Sequence, residues 1–213
     1  MKKALIVDLD GTLLQTNTFR DYLIFCGRAA LCRFRLPLAC SIVWWVALRK
    51  VRLISHSRMK RALLLRTAVF MRRRGRLDQF VEQELVKVNP RVLSFVEQYR
   101  NRGHLMVLAT AAPSMYALPL TEMLHFDLCC ATPLPSEVVI GKWQENAGQN
   151  KLDALQRLLR VHSATIDVVV TDHHDDLPLL NANTEGSNYI VNPSTQTTAA
   201  LQKECHTAYT VLR

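Results

Sequence analysis

The sequence predicts an α/β protein, a Rossmann-like parallel sheet core with a helical cap inserted just after the first strand. Three observations carry that prediction. Short, continuously apolar runs alternate with helix-like segments, as expected of strands buried on both faces of a parallel sheet. The chain has 213 residues, 49% of them hydrophobic, with only 7 glycines and 8 prolines, so it can bury a core and is too apolar for disorder. The alternation breaks once, across a long helical and basic stretch from 14 to 88. The expected organisation is therefore a core of residues 1–13 plus 89–213 and a cap of residues 14–88.

Lys3 to Leu9 is the first apolar run, of strand length, and Asp10-Gly11-Thr12 ends it in a turn. Phe19 to Leu31 and Ser57 to Met71 are helix-like, the second without an internal Pro or Gly. Asn89-Pro90 starts another helix, Asn as N-cap and Pro at the first helical position, and Gly103 ends it. His104 to Thr110 is the second buried strand. Pro113 opens a helix towards His125, with Pro119 as a point of kinking. Phe126 to Ala131 is strand-like, and Asn150 to Arg160 is helical with Leu152, Leu155, Leu158 and Leu159 on one face. Ile166 to Thr171 is the third strong strand. An acidic loop, a short helix through Leu180 and a strand from Asn188 to Val191 precede a polar tail.

Charge is distributed unevenly. From Tyr22 to Leu77 there are fourteen Lys or Arg and no Asp or Glu, leaving 13 basic residues against all 18 acidic ones elsewhere. A net charge of +9 thus hides an acidic remainder and one segment suited to a polyanion. The six cysteines form no C-x-x-C pair and have no matching histidine cluster, which argues against a zinc site. Asp8 interrupts the apolar start too early for a signal peptide, so a cytoplasmic chain with reduced thiols is expected.

In a parallel sheet, sites form beyond the carboxyl ends of the strands. Here three apolar runs end in reactive residues: Asp8-Leu-Asp10-Gly11-Thr12, Thr110, and Asp172-His-His-Asp-Asp176. Asp8 and Asp10, two apart, project to the same side if extended geometry persists. Neighbouring carboxylates repel, and a divalent cation such as Mg2+ relieves that, with Asp172 as a further hard oxygen ligand. Gly11 permits a sharp turn beside a phosphate, Thr110 offers a hydroxyl, and Lys151 offers positive charge to a phosphoryl group. Lys142, after Gly141, is a rival for Lys151, which opens a helix 21 residues before Asp172. His173, His174 and Asp175 are assigned no role.

These segments, in this order, resemble the four signature motifs of haloacid dehalogenase (HAD) phosphatases, and the resemblance covers nearly the whole chain. One departure is Thr171-Asp172-His173, where the family commonly has Gly-Asp-Ser. The resemblance implies an HAD-type fold and a Mg2+-dependent phosphatase working through an aspartyl-phosphate. Asp8 would be the nucleophile, and Asp10 the acid and then base, lending its carbonyl to the metal as well. Gly11, Thr12, Thr110 and Lys151 would hold phosphate. Asp8, Asp10 and Asp172 would hold the metal, with Asp176 supporting that ligation.

Leu36 to Leu48 is uncharged, with Trp44-Trp45 inside it and Arg33, Arg35, Arg49, Lys50 and Arg52 at its ends. As a helix it is too short to span a bilayer but suits the interface of an anionic membrane, so residues 33–52 are expected to meet such a surface peripherally. The alternative is a buried cap helix. Nucleic acid is not expected, because the arginines are interleaved with aliphatics rather than stacking aromatics. The cap also resembles the phosphatidylglycerophosphatase C family and the HAD units fused to membrane prenyltransferases. Those resemblances imply a membrane-borne phosphomonoester substrate, such as phosphatidylglycerophosphate. A phosphatase of soluble metabolites and a non-catalytic lipid-binding module are the competing expectations.

Overall fold

A computed structural model describes residues 1–139 and 141–212. Six strands form one parallel sheet in the order β3-β2-β1-β4-β5-β6. They are β1 (Lys2–Val7), β2 (Leu105–Pro113), β3 (Leu128–Thr132), β4 (Ala164–Thr171), β5 (Ser187–Val191) and β6 (Tyr209–Leu212). This is the predicted α/β architecture, with β1 central because its residues are apolar on both faces. Ala4 and Ile6 face one hydrophobic cluster, with Leu152, Leu155 and Leu159 of α7 (Gln149–Val161) and Leu201 of α9 (Thr195–Glu204). Leu5 and Val7 face the other. The period-2 alternation of a strand thus feeds two covering layers.

Between β1 and α5 (Pro90–Asn101) lie four helices: α1 (Thr18–Leu31), α2 (Leu36–Lys50), α3 (His56–Met71) and α4 (Arg76–Leu85). Caps set several of their starts. Asn17, Ser55 and Asn89 accept main-chain N–H groups at the starts of α1, α3 and α5. Their apolar faces join the cluster beneath Leu5 and Val7, where Tyr22, Phe80 and Tyr116 of α6 (Ser114–Met123) pack ring against ring. Tyr22 donates to Thr67 at 2.7 Å, so its buried hydroxyl is satisfied.

Helix α2 behaves differently from its neighbours. Only Ala39 and Ile42 are buried, while Val43 and Trp44 are more than 60% exposed. Trp45 instead packs under Arg66, whose guanidinium lies 5.1 Å from the ring. The tryptophan pair is therefore split between solvent and α3.

Three details depart from the sequence expectations. The tail after Val191 is ordered, forming α9, capped by Ser194, and the edge strand β6, paired with β5. Phe126 and Asp127 precede β3 instead of belonging to it, because the Asp127 carboxylate accepts the Met106 N–H at 2.7 Å. β2 continues past Thr110 to Pro113, which caps α6 rather than starting it.

Register decides what these strands position. Val7 lies opposite Leu108 of β2 on one side and Val170 of β4 on the other. The segments following β1, β2 and β4 residues therefore reach the same edge of the sheet.

Candidate active site

That edge gathers the residues at the carboxyl ends of three neighbouring strands. Asp8 follows β1 directly, and its main-chain N–H donates to Val170 at 2.9 Å, which ties it to β4. Lys151, on the first turn of α7, is almost fully buried and reaches across. Its ammonium lies 2.8 Å from Asp8 Oδ1 and 2.8 Å from Asp176 Oδ1. Thr171 donates to Asp176 Oδ2 at 2.7 Å, so Asp176 holds Lys151 and Thr171 and makes no hydrogen bond to Asp172 among the described residues. Lys142 is exposed.

Asp172 comes next to the turn after β1. Thr12 donates to its Oδ1 at 3.1 Å. Gly11 has a left-handed φ of 76°, and a Cβ built there would collide with the Asp172 carboxylate. Glycine is needed on both counts. The Asp10 side chain turns aside, accepting the Thr18 N–H at 2.8 Å at the start of α1. Thr110 is buried, and its oxygen accepts the Ala112 N–H at 3.0 Å, which leaves its own hydrogen free to donate.

Asp8 and Asp176 share one ammonium, and Asp172 adds its charge to theirs. Burial pushes the Asp8 carboxyl up to about 7; Lys151 opposes this, while Asp176 and Asp172 reinforce it. Burial also raises Asp10, against the hydrogen bonds from Thr18, and raises Asp172, against the bond from Thr12. Lys151 would be pushed down by burial alone, but Asp176 and Asp8 outweigh that and hold it firmly protonated. Asp8 and Asp172 each present a second oxygen without a hydrogen-bond partner among the described residues. Hard oxygen donors with surplus negative charge fit Mg2+.

Two further residues reach this site without any mark in the sequence. Lys60, buried on α3, donates to the Ala111 carbonyl at 2.8 Å, pairs with Glu145 and lies over the Phe19 ring. Asn146 donates to the Thr110 and Cys130 carbonyls, both at 2.9 Å, and so braces β2 at Thr110 against β3. The only hint of Lys60 is its place in the acid-free basic stretch. Asn146 has no signal, because its partners are main-chain groups. Among the described residues, His173, His174 and Asp175 bring possible metal donors within 4.8 Å of one another. Asp175 engages His173 both through its main-chain N–H and through its carboxylate, which accounts for their closeness.

The chain belongs to the haloacid dehalogenase-like hydrolase family, which matches residues 5–181. No curated protein matches it in sequence. Among solved structures, a protein with unknown function from Bordetella pertussis Tohama I is 17% identical, covering 100% of this chain and 99% of its own, with a TM-score of 0.77. A probable phosphoserine phosphatase from Vibrio cholerae is 18% identical, covering 100% of this chain and 61% of its own, with a TM-score of 0.67. A phospho-aspartyl intermediate analogue of phosphoserine phosphatase is 13% identical, covering 100% and 95%, with a TM-score of 0.58. At these identities the likeness is one of fold.

Proposed function

We propose that this hydrolase is a Mg2+-dependent phosphatase in which Asp8 takes the phosphoryl group from a phosphomonoester. The observation that carries this reading is the buried Lys151 clamped between Asp8 and Asp176 beside Asp172, at the carboxyl edge of a parallel sheet. Lys151 opposes the burial that raises Asp8 and so favours its anionic form, the nucleophile the reaction needs. Asp8 Oδ attacks phosphorus, the bond to the alcohol oxygen breaks, and an aspartyl-phosphate forms. Asp10, whose carboxyl burial keeps protonated to higher pH, gives its proton to the leaving alkoxide. It then takes a proton from the water that attacks the phosphoaspartate, which returns phosphate and free Asp8. Gly11, Thr12, Thr110 and Lys151 meet the phosphoryl oxygens, Thr110 through its free hydroxyl hydrogen. Asp8, Asp172 and the Asp10 carbonyl would hold Mg2+, which would supply positive charge to offset that of the carboxylates and the phosphoryl group.

For the substrate we favour a lipid phosphomonoester such as phosphatidylglycerophosphate, met at the cytoplasmic face of an anionic membrane. The acid-free basic stretch from Tyr22 to Leu77 and the outward apolar side of α2 support this choice. No helix among the described residues is long and apolar enough to cross a bilayer, so contact through residues 33–52 would be peripheral.

Phosphate release from a panel of lipid and soluble phosphomonoesters, with and without Mg2+, tests both parts. Asp8→Asn should lower turnover by about 10⁴-fold or more while circular dichroism stays unchanged. Near-normal turnover by a folded variant removes this mechanism. Preference for soluble substrates removes the lipid assignment and leaves the chemistry standing.

A further inference from the structure

A second concentration of charge lies in the cap. A cavity of about 890 Å3 is lined by Arg33, Arg35, Arg66, Arg73, Arg74 and Arg76, with Pro37, Leu38, Val69 and Phe70 as its apolar wall. Its arginines come from three places: the α1–α2 turn, α3, and the α3–α4 connection with the start of α4. No acidic residue lines it, and among the described residues none of the six arginines is ion-paired. None of the hydrogen bonds made by Asp8, Asp10, Lys151 or Asp172 reaches them.

Two of these guanidiniums are built in rather than trailing in solvent. Arg76 is buried, its plane 4.1 Å from the Phe70 ring and its Nε 2.7 Å from the Phe70 carbonyl, which Nη2 also meets. Arg66 lies over Trp45 and donates to Ala62 at 2.9 Å. Each keeps N–H groups uncommitted. Burial, then the nearness of Arg33, Arg74 and Arg73, makes the charge on Arg76 harder to hold. A fold that fixes like charges together without a protein counterion is complementary to a multiply charged anion. Guanidinium forks match phosphate oxygens in pairs, and the cavity falls within the size range of ligand sites. Phe34, 87% exposed, and Leu36, 54% exposed, stand beside Arg33 and Arg35 and place apolar surface next to the charge.

We propose that this cavity is a second anion site, separate from the catalytic edge, that binds the phosphate group of an anionic ligand. The same chemistry is offered by a phospholipid headgroup and by a free phosphorylated molecule, and two probes separate them.

The first probe is inorganic pyrophosphate, titrated calorimetrically without divalent metal. The second is flotation with vesicles of equal parts phosphatidylcholine and phosphatidylglycerol. Arg73→Gln with Arg74→Gln alters one wall; Arg33→Gln with Arg35→Gln alters the other and serves where the first pair disturbs folding. Lys151→Met reports any pyrophosphate taken by the catalytic edge. Wild type should bind at least one probe, with roughly tenfold weaker binding in either arginine pair. The Lys151→Met protein should bind like wild type. Loss confined to pyrophosphate identifies a soluble ligand, and loss on vesicles identifies a lipid headgroup. The proposal is overturned if wild type binds neither probe, or if folded arginine pairs bind as wild type does. Because binding is read, the outcome is independent of whether the chain proves to be a phosphatase. Hydrolysis of p-nitrophenyl phosphate, followed alongside, should be unchanged in Arg73→Gln with Arg74→Gln.

Discussion

At the scale of single residues, the carboxylates near Lys151 differ in what they touch. Asp8 and Asp176 share its ammonium, while Asp172 is bound by Thr12 and fitted against Gly11. Asp175, three positions further, is exposed and pairs with His173, which raises the imidazole pKa. Asp172→Ala should therefore abolish Mg2+-dependent turnover, whereas Asp175→Ala should keep most of it. Mg2+ titration of both variants decides this, and the opposite ranking would mean that the carboxylate nearest the metal is Asp175. Asp8, Thr110 and Asp172 were visible in the sequence because a strand end is a place where an apolar run meets one polar residue. Lys151 was harder, with Lys142 as a rival, since one lysine on an amphipathic helix looks like another until the fold shows which is buried. Asn146 was invisible. Its side chain serves main-chain carbonyls, and nothing in residue type or spacing marks such a partner.

At the scale of elements, strands that are apolar throughout were legible and the edge strand β6 was not. β1, β2 and β4 are buried on both faces, so their composition alone declares them. β6 is four residues long at the edge of the sheet, and α9 is rich in Thr and Gln, so neither carries a periodic apolar signal. The far end of the central strands holds a polar cluster that composition did not suggest. Asp167 of β4 lies 2.9 Å from Lys3 of β1 and 2.8 Å from His104, which precedes β2. Burial would raise its carboxyl, but the bonds from Lys3 and His104 prevail and hold it below the ordinary value. A carboxyl depressed in the folded state stabilises above its unfolded pKa and loses that contribution as pH falls through the folded pKa. Wild type should thus be more stable than Asp167→Asn at neutral pH. The gap should shrink as pH falls from about 5, above the unfolded carboxyl value near 3.9, through the lower folded value. Chemical denaturation of both proteins across that range measures it, and a gap that stays constant would remove Asp167 as its source.

At the scale of the whole molecule, one buried lysine links the inserted helices to the sheet. Lys60 of α3 reaches the Ala111 carbonyl beyond Thr110 and the Glu145 carboxylate before α7. Lys60→Met would leave Glu145 without that partner, at a cost of about 3 kcal/mol in stability. It should also raise KM more than it lowers kcat, because the residue borders the site without touching Asp8. Urea unfolding and steady-state kinetics read the two effects, and a variant with unchanged stability would show that Lys60 is no tie. The same inserted stretch carries the charge asymmetry that the sequence displayed openly, whereas the division of α2 into covered and bare sides needed the structure. Trp45 is held by Arg66, and Val43 and Trp44 face outward. An apolar face flanked by Arg49, Lys50 and Arg52, without an acidic residue nearby in sequence, suits an anionic bilayer interface. Val43→Ser with Trp44→Ser should weaken flotation with phosphatidylglycerol vesicles at every salt concentration, because apolar burial is not screened. Arg49→Glu with Arg52→Glu should weaken it most at low salt, where the Debye length is longest. Both pairs should hydrolyse a small soluble phosphomonoester at the wild-type rate, since none of these residues shares a hydrogen bond or ion pair with Asp8, Asp10, Lys151 or Asp172. Wild-type protein that ignores the vesicles would leave α2 as an ordinary cap helix with an apolar outer face, and the basic cap would then act on soluble anionic substrates.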